Sequence, residues 1–304
     1  MDLFNANGAR NCLPALQKLL GLTCSSHSDL QDFVFIAIDL ENSAGITRGG
    51  SLKNANSQIG FAVLDMKNFL ASPKKDISTF NITIGDLKYS KRVSGRFLFG
   101  EPFNLTTKRA ISRKINDLVP KSRKIILVGH DITSDLRALA SFNPEFKNYR
   151  VFDTQQIAHS VLSLDQQPKQ NHTLRYLLTY FECPFNKLHC AGNDANFTLR
   201  LLLLLAIYPL RIASAQSVRS EAVLDDKSVF PYQKKVFTKL QEISRSPLPV
   251  KPQLHEIELA RKKRRQERKR QARFQDAETI ERVRAERARK KEMAAKYAPV
   301  KACR

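Results

Sequence analysis

Asp39 and Glu41 stand two residues apart at the end of the apolar run Phe33-Val34-Phe35-Ile36-Ala37-Ile38. Side chains alternate faces along a strand, so both carboxylates leave on one face at its C-terminal end. Two carboxylates held together there repel one another and lose hydration, a cost that a divalent cation removes; hard oxygen donors suit Mg²⁺ or Mn²⁺. Asp135, in Val128-Gly129-His130-Asp131-Ile132-Thr133-Ser134-Asp135, follows a strand pattern and falls in the first turn of the next helix. Its simplest role there is to favour the helix dipole, worth about 0.3–1 kcal/mol, while Asp131 is the expected N-cap. Asp194 opens a later helix after Gly192-Asn193 and could equally be a cap. His189 precedes it in a loop made pliable by Gly192. With an unperturbed pKa of about 6.5, histidine is suited to take a proton from water at neutral pH. Taken alone, D-x-E is common, and solvent exposure at a strand exit is the better explanation of it.

The elements that must position these residues are legible as a change of periodicity. After the first strand, Gln58 to Leu64 and Ile77 to Ile84 read as strands able to pair antiparallel with it. Then come a helix (Lys108 to Leu118), a strand (Lys124 to Val128), a helix (Thr133 to Ala140) and a strand (Arg150 to Phe152). Helices near Asp153 to Ser163, Leu174 to Phe181 and Asp194 to Tyr208 follow, the last expected to stop at Pro209. Three leading strands followed by alternating helices and strands suit an α/β domain, a mixed five-stranded sheet with helices on both faces. A Rossmann or flavodoxin-like sheet would start parallel with a Gly-rich turn, and Asp39-Leu40-Glu41-Asn42-Ser43 is not one.

The chain of 304 residues carries 51 Lys and Arg against 29 Asp and Glu, a formal charge of +22. Residues 251–304 alone hold 19 Lys and Arg against 8 Asp and Glu, half of that excess. Such a charge points to a polyanionic partner, because clustered cations release the counterions condensed on a phosphate backbone. The proline-rich Ser244-Arg245-Ser246-Pro247-Leu248-Pro249-Val250-Lys251-Pro252 reads as a stiff spacer before the tail. The layout expected is an N-terminal extension (1–31), a catalytic-type domain (32–212), a connecting segment and linker (213–252) and a basic tail, largely extended or helical (253–304). In the tail, Arg261, Lys262, Lys263, Arg264, Arg265, Arg268, Lys269 and Arg270 form a run suited to nonspecific phosphate attraction or to a localisation signal. No aromatic residue is interleaved in that run, which disfavours base reading by it. Five scattered cysteines without a C-x-x-C pair read as reduced thiols, and with no secretory leader pattern the expected location is intracellular, in nucleus or cytoplasm. The apolar run Leu201 to Leu210 is shorter than the roughly 20 residues a membrane span needs, so no membrane association is expected.

Together, D-x-E ending a strand, G-H-x-x-x-x-D opening a helix and H-x-A-x-x-D opening a later helix resemble the three motifs of the DEDDh exonucleases, in their order. The likeness runs from about Asp32 to Tyr208, supported by Gln58 to Asp65 and by Val151-Phe152-Asp153-Thr154. The run His189 to Ala195 most resembles a fungal branch linked to messenger-RNA export and RNA silencing. The resemblance implies a ribonuclease H-like fold in which Asp39, Glu41, Asp135 and Asp194 bind two divalent metal ions and His189 activates the attacking water. It implies 3′-5′ exonuclease activity on single-stranded nucleic acid, RNA ahead of DNA, and an RNA-processing protein as a further partner. Where the second motif of that family commonly has Asn and an aromatic residue, this chain has Asp131 and Ser134, which bears on how substrate is held more than on the metals. A noncatalytic RNA–protein adaptor and a structure-selective endonuclease on the same fold are the competing readings. Tyr176 and Tyr180, four apart, read as packing partners; His130 and His172 read either as structural or as supports standing behind the site's ligands, and Asp153 as the cap of the next helix.

Overall fold

The computed structural model describes residues 9–23, 33–47, 52–67, 69–70, 77–119, 122–163, 172–219 and 231–249, and in the tail 263–267, 282, 284–286 and 288–290. They belong to two compact units, Met1–Pro249 and Val250–Arg304.

The sheet of the first unit is built on β1 (Phe33–Glu41), buried from Phe33 to Ile38. Phe33, Phe35 and Ala37 enter one hydrophobic core, and Val34, Ile36 and Ile38 enter a second on the other face. Burial on both sides is why this strand is continuously apolar and does not alternate. β2 (Ser57–Asp65) pairs antiparallel with β1, and β3 (Ser78–Ile84) pairs antiparallel with β2. β4 (Phe103–Asn104), β5 (Lys124–Gly129) and β6 (Arg150–Asp153) run parallel to β3, β1 and β5 respectively. The order is β4-β3-β2-β1-β5-β6, so the mixed sheet has six strands where five were expected. The additional strand, β4, is two exposed residues long, too short to leave a periodicity.

One face of the sheet is covered by α4 (Lys108–Leu118) and α5 (Thr133–Ala140), through Ile111, Ile115 and Leu139. The other carries α1 (Ala9–Leu19), α6 (Thr154–Leu162), α7 (Leu174–Tyr180), α8 (Ala191–Arg219) and α9 (Pro231–Ser244). α1 contributes Leu16 and Leu19, and α9 contributes Val236, Leu240 and Ile243. The core therefore extends beyond residues 32–212 in both directions. A short helix, α2 (Ala44–Thr47), follows β1; a longer one, α3 (Leu87–Arg96), follows β3 and was not foreseen. It is capped by Asp86, whose Oδ1 accepts from the backbone N–H of Tyr89 at 2.6 Å.

α8 continues through Pro209, which was expected to end it. Proline removes one backbone hydrogen bond and crowds the carbonyl one turn back. The side-chain amide of Gln17 donates to the carbonyl of Ala206 at 3.0 Å, giving an acceptor in the disturbed turn a donor from α1. Burial of Leu201 to Ile207 on the sheet holds the preceding turns. By length and composition Ala191–Ile212 could cross a bilayer, with mean hydropathy 1.4, yet 72% of its most apolar window is buried inside the protein. Packing against the sheet accounts for its apolarity.

In the tail unit, Lys263, Arg264 and Arg265 lie in an exposed helical stretch, and Glu286 pairs with Lys290 at 3.3 Å. Arg261, Lys262, Arg268, Lys269 and Arg270 lie outside the described residues.

Candidate active site

Asp39 and Glu41 stand on the face of β1 that meets α8, in step with Phe33, Phe35 and Ala37. Asp194 lies in the first turn of α8, 6% exposed, and Asp135 in the first turn of α5, 8% exposed. Both helices begin at the C-terminal end of the sheet, so acids from three elements meet there. Asp39 feels the charges of Asp194, Asp135 and Glu41. The backbone N–H of Leu40, between the two acids of β1, acts to lower the pKa of Asp135. His189 stands at the rim. Its backbone N–H donates to Asp194 Oδ2 at 2.7 Å, and its Nδ1 lies 3.6 Å from Glu41 Oε1. Ligand atoms of Glu41, His189 and Asp194 all fall within 4.8 Å of one another. Glu41, His189 and Asp194 thus stand within ligand distance of one another, and Asp39 and Asp135 lie within electrostatic reach of them.

The sheet itself seats the start of α8. Helix N-termini leave backbone N–H groups without partners. Here Gln58 Oε1 accepts from Ala191 N at 3.3 Å and Asn81 Oδ1 accepts from Gly192 N at 3.1 Å, while Asn81 Nδ2 donates to Gln58 Oε1 at 3.1 Å. The approach is so close that a Cβ on Gly60 would lie 2.0 Å from the carbonyl oxygen of Ala191. Only glycine allows β2 and α8 to meet this way.

Burial and mutual repulsion govern the charges. Burial, reinforced by Asp194, Asp135 and Glu41, holds Asp39 well above its ordinary pKa. Burial chiefly pushes Asp135 up to about 7, against the hydroxyl of Ser134 and the N–H of Leu40, which lower it. Burial also raises Asp194 to about 7, with the charge of Glu41 adding to it and the N–H of His189 opposing. Two oxygens, Asp39 Oδ2 and Asp194 Oδ1, are sealed from solvent with no hydrogen-bond partner among the described residues. A buried acceptor left so costs about 1–3 kcal/mol. Orphaned carboxylate oxygens at a point of like charge are what a hard divalent cation satisfies, so these residues fit Mg²⁺ or Mn²⁺.

In the metal-free protein, Asp135 and Asp194 have folded pKa values of about 7 against an ordinary 3.8. The folded state then binds these protons more tightly than the unfolded state. Their contribution to stability is complete below about pH 4 and is lost as pH rises through about 7. Metal-free protein is expected to lose melting temperature, relative to an Asp194→Asn variant, between pH 5 and pH 8, at about 2–4 °C per kcal/mol. Mn²⁺ should reverse the loss in the wild type. Thermal melts in EDTA and in Mn²⁺ at the two pH values check this.

Beside the acids opens a cavity of about 280 Å³, lined by Glu41 and His189 and by Tyr89, Arg92 and Arg96 of α3. The Arg92 guanidinium lies 5.2 Å from the centre of the Tyr89 ring. Sequence reasoning missed this wall. Asp86 as a cap and the i,i+4 pair Tyr89 and Val93 were the available signals. A larger cavity, about 370 Å³, lies against Tyr180, Tyr208 and Arg211 toward the far end of α8 and is lined by none of the acids.

Other expectations resolve locally. Asp131 is not the cap of α5: Ile132 occupies that position without a side-chain hydrogen bond. Asp131 instead has φ +57°, and its N–H and that of Ile132 donate to Asp153 at 3.1 and 3.2 Å. Asp153 caps α6 as expected, accepting from Gln155 N at 2.9 Å. His130 is structural, bonded to Thr154 Oγ1 at 2.9 Å and to the carbonyl of His172 at 2.8 Å, and burial pushes its pKa down. Tyr176 and Tyr180 stack on one another, ring centres 6.4 Å apart, and the Tyr180 hydroxyl lies 2.7 Å from that of Tyr208.

Residues 34–205 match the DEDDh family described as DNA polymerase III subunit epsilon-like, C-terminal domain. Among curated proteins none matches. Similar solved structures include one described as the yeast NOT1 MIF4G domain co-crystallized with CAF1, 14% identical, covering 71% of this chain and 93% of that one with a TM-score of 0.35. Another is the RNase domain of the yeast Pop2 protein, 13% identical, covering 69% of this chain and 84% of that one with a TM-score of 0.34. The family match spans more than half of the chain and contains every acid of the site together with His189. The chain belongs to the DEDDh exonuclease superfamily, in the family of DNA polymerase III subunit epsilon-like domains.

Proposed function

We propose that this chain is a metal-dependent 3′-5′ exonuclease that hydrolyses single-stranded nucleic acid, RNA ahead of DNA, to nucleoside 5′-monophosphates. The observation that carries the reading is the convergence of four carboxylates from β1, α5 and α8 with His189 at their rim. Asp39, Glu41, Asp135 and Asp194 would hold two ions of Mg²⁺ or Mn²⁺. When bound, such ions acidify water and stabilise the attacking and leaving oxygens of an in-line displacement at phosphorus. His189 takes the proton of the attacking water: its Nδ1 faces Glu41, which leaves Nε2 to accept. The new P–O bond forms as the bond to the 3′ oxygen of the preceding nucleotide breaks, leaving a strand one nucleotide shorter with a 3′-hydroxyl. The cavity beside Glu41 receives the terminal nucleoside, with Arg92 and Arg96 available to phosphate and Tyr89 as its floor.

The preference for RNA rests on the resemblance of His189 to Ala195 to a branch linked to messenger-RNA export and silencing, as does an RNA-processing partner protein. An intracellular site of action, in nucleus or cytoplasm, accords with such a substrate.

Incubation of the purified chain with 5′-labelled RNA and DNA strands in Mg²⁺, Mn²⁺ or EDTA tests the reading. A ladder shortening from the 3′ end in either metal and stopping in EDTA is the expected result. Internal cuts would make it an endonuclease, and no metal-dependent cleavage would make it an adaptor.

The tail reads as a phosphate-binding arm separate from this chemistry. Removal of residues 253–304 is expected to leave turnover on short strands unchanged while weakening the grip on long ones. For every phosphate of a single strand that the shortened protein no longer neutralises, the slope of log K against log salt falls by about 0.7. Salt titrations of both proteins measure it, and identical slopes would leave the run from Arg261 to Arg270 as a localisation signal.

A further inference from the structure

His189 has little to hold it in place. Its side chain is 77% exposed, and its backbone adopts φ +62°, a left-handed conformation that a non-glycine residue keeps only when its surroundings impose it. Its ring lies 3.6 Å from Glu41 Oε1 and has an Asp194 oxygen within 4.8 Å, with no close hydrogen bond among the described residues. The position of the imidazole is therefore inherited from the backbone on either side.

That backbone is laced to the C-terminal end of α3. Asn193, fully buried, accepts at Oδ1 from the N–H of Leu98 at 2.9 Å. Its Nδ2 donates to the carbonyls of Arg96 and Lys187, both at 3.0 Å. One amide thus ties the residue two before His189 to α3, and does so from one position before Asp194. Both donors of the Asn193 amide are used, and neither Asp nor Leu could reproduce them. Two outer bonds close the same seam: the Arg96 guanidinium donates to the carbonyl of Leu188, and Lys187 Nζ donates to the carbonyl of Gly95 at 3.0 Å.

We propose that Asn193, with Arg96, is a positioning residue that sets where His189 stands over the acidic cluster. The inference rests on the reading of His189 as the base, and it assigns to α3 a role beyond lining the cavity. A base displaced by about 1 Å can lose 10²-fold in rate.

The test is a double-mutant cycle on single-turnover rate at saturating 5′-labelled strand with Mg²⁺, so that any binding of substrate by Arg96 drops out. Asn193→Leu is expected to lower the rate roughly 10–100-fold in the wild-type background. In a His189→Ala background it should cost almost nothing, because residues acting through one another are non-additive. Arg96→Met, at an exposed position, should show the same non-additivity, and it carries the test if Asn193→Leu does not fold. Equal losses in both backgrounds would overturn the proposal by making the seam a support of the metal site or the fold. An unchanged rate in both single variants would overturn it too. A His189→Ala protein as active as wild type would instead remove the reading on which the proposal rests, so the two failures are distinguishable.

Discussion

Asp39→Asn and Asp194→Asn are each expected to reduce cleavage to the level seen in EDTA, while the metal-free variants melt higher than the metal-free wild type. The two halves of this result have one cause. Asp39 and Asp194 are pressed together with Asp135 and Glu41, and burial and repulsion hold Asp39 and Asp194 above their ordinary pKa. Asn keeps the shape and relieves the charge, so the metal-free fold gains. The same change removes a ligand oxygen that has no hydrogen-bond partner in the protein among the described residues, Asp39 Oδ2 in one case and Asp194 Oδ1 in the other. Activity assays beside thermal melts in EDTA read both halves. Activity retained in either variant would mean that the acid is only a cap or a strand-end charge.

His189→Ala is expected to lower turnover by about 10² to 10⁴ with the metal affinity nearly intact, since it removes proton transfer and not a carboxylate ligand. The geometry supports this division of labour. His189 reaches Asp194 through its backbone N–H, which alanine retains, and its ring stands largely in solvent. Single-turnover rates at neutral pH with parallel Mn²⁺ binding check it. A rate equal to wild type would end the general-base assignment, and loss of metal together with rate would make His189 a ligand.

How much of this the sequence revealed depended on the range of the interactions. β1 announced itself because both of its faces are buried, and α4 and α6 because each has a capping residue and an apolar face. The acids were legible as residues of one site because each closes a strand or opens a helix at the same end of the sheet. α3 left little trace: of its ten residues only Tyr89 and Val93 are buried. Pro209 was read by its local rule, a helix stop, and the rule was overridden by burial on the sheet and by an amide from α1, 189 residues away in the chain. Asp131 does not cap α5, and its own N–H and that of Ile132 are held by the carboxylate of Asp153, which reaches across from the next strand. Gln58, Asn81 and Asn193 show the limit most clearly. Each looks like an ordinary polar residue, and its role depends on what the fold lays against it.

The central claim, that these carboxylates form a metal centre, is tested most directly by calorimetric titration of Mn²⁺ into wild-type and Asp39→Asn protein near pH 7. The account predicts two ions per wild-type chain, with protons released on binding because Asp135 and Asp194 titrate near that pH. It predicts loss of that binding in the variant. Saturable binding of equal strength in both proteins, or none in the wild type, would contradict it.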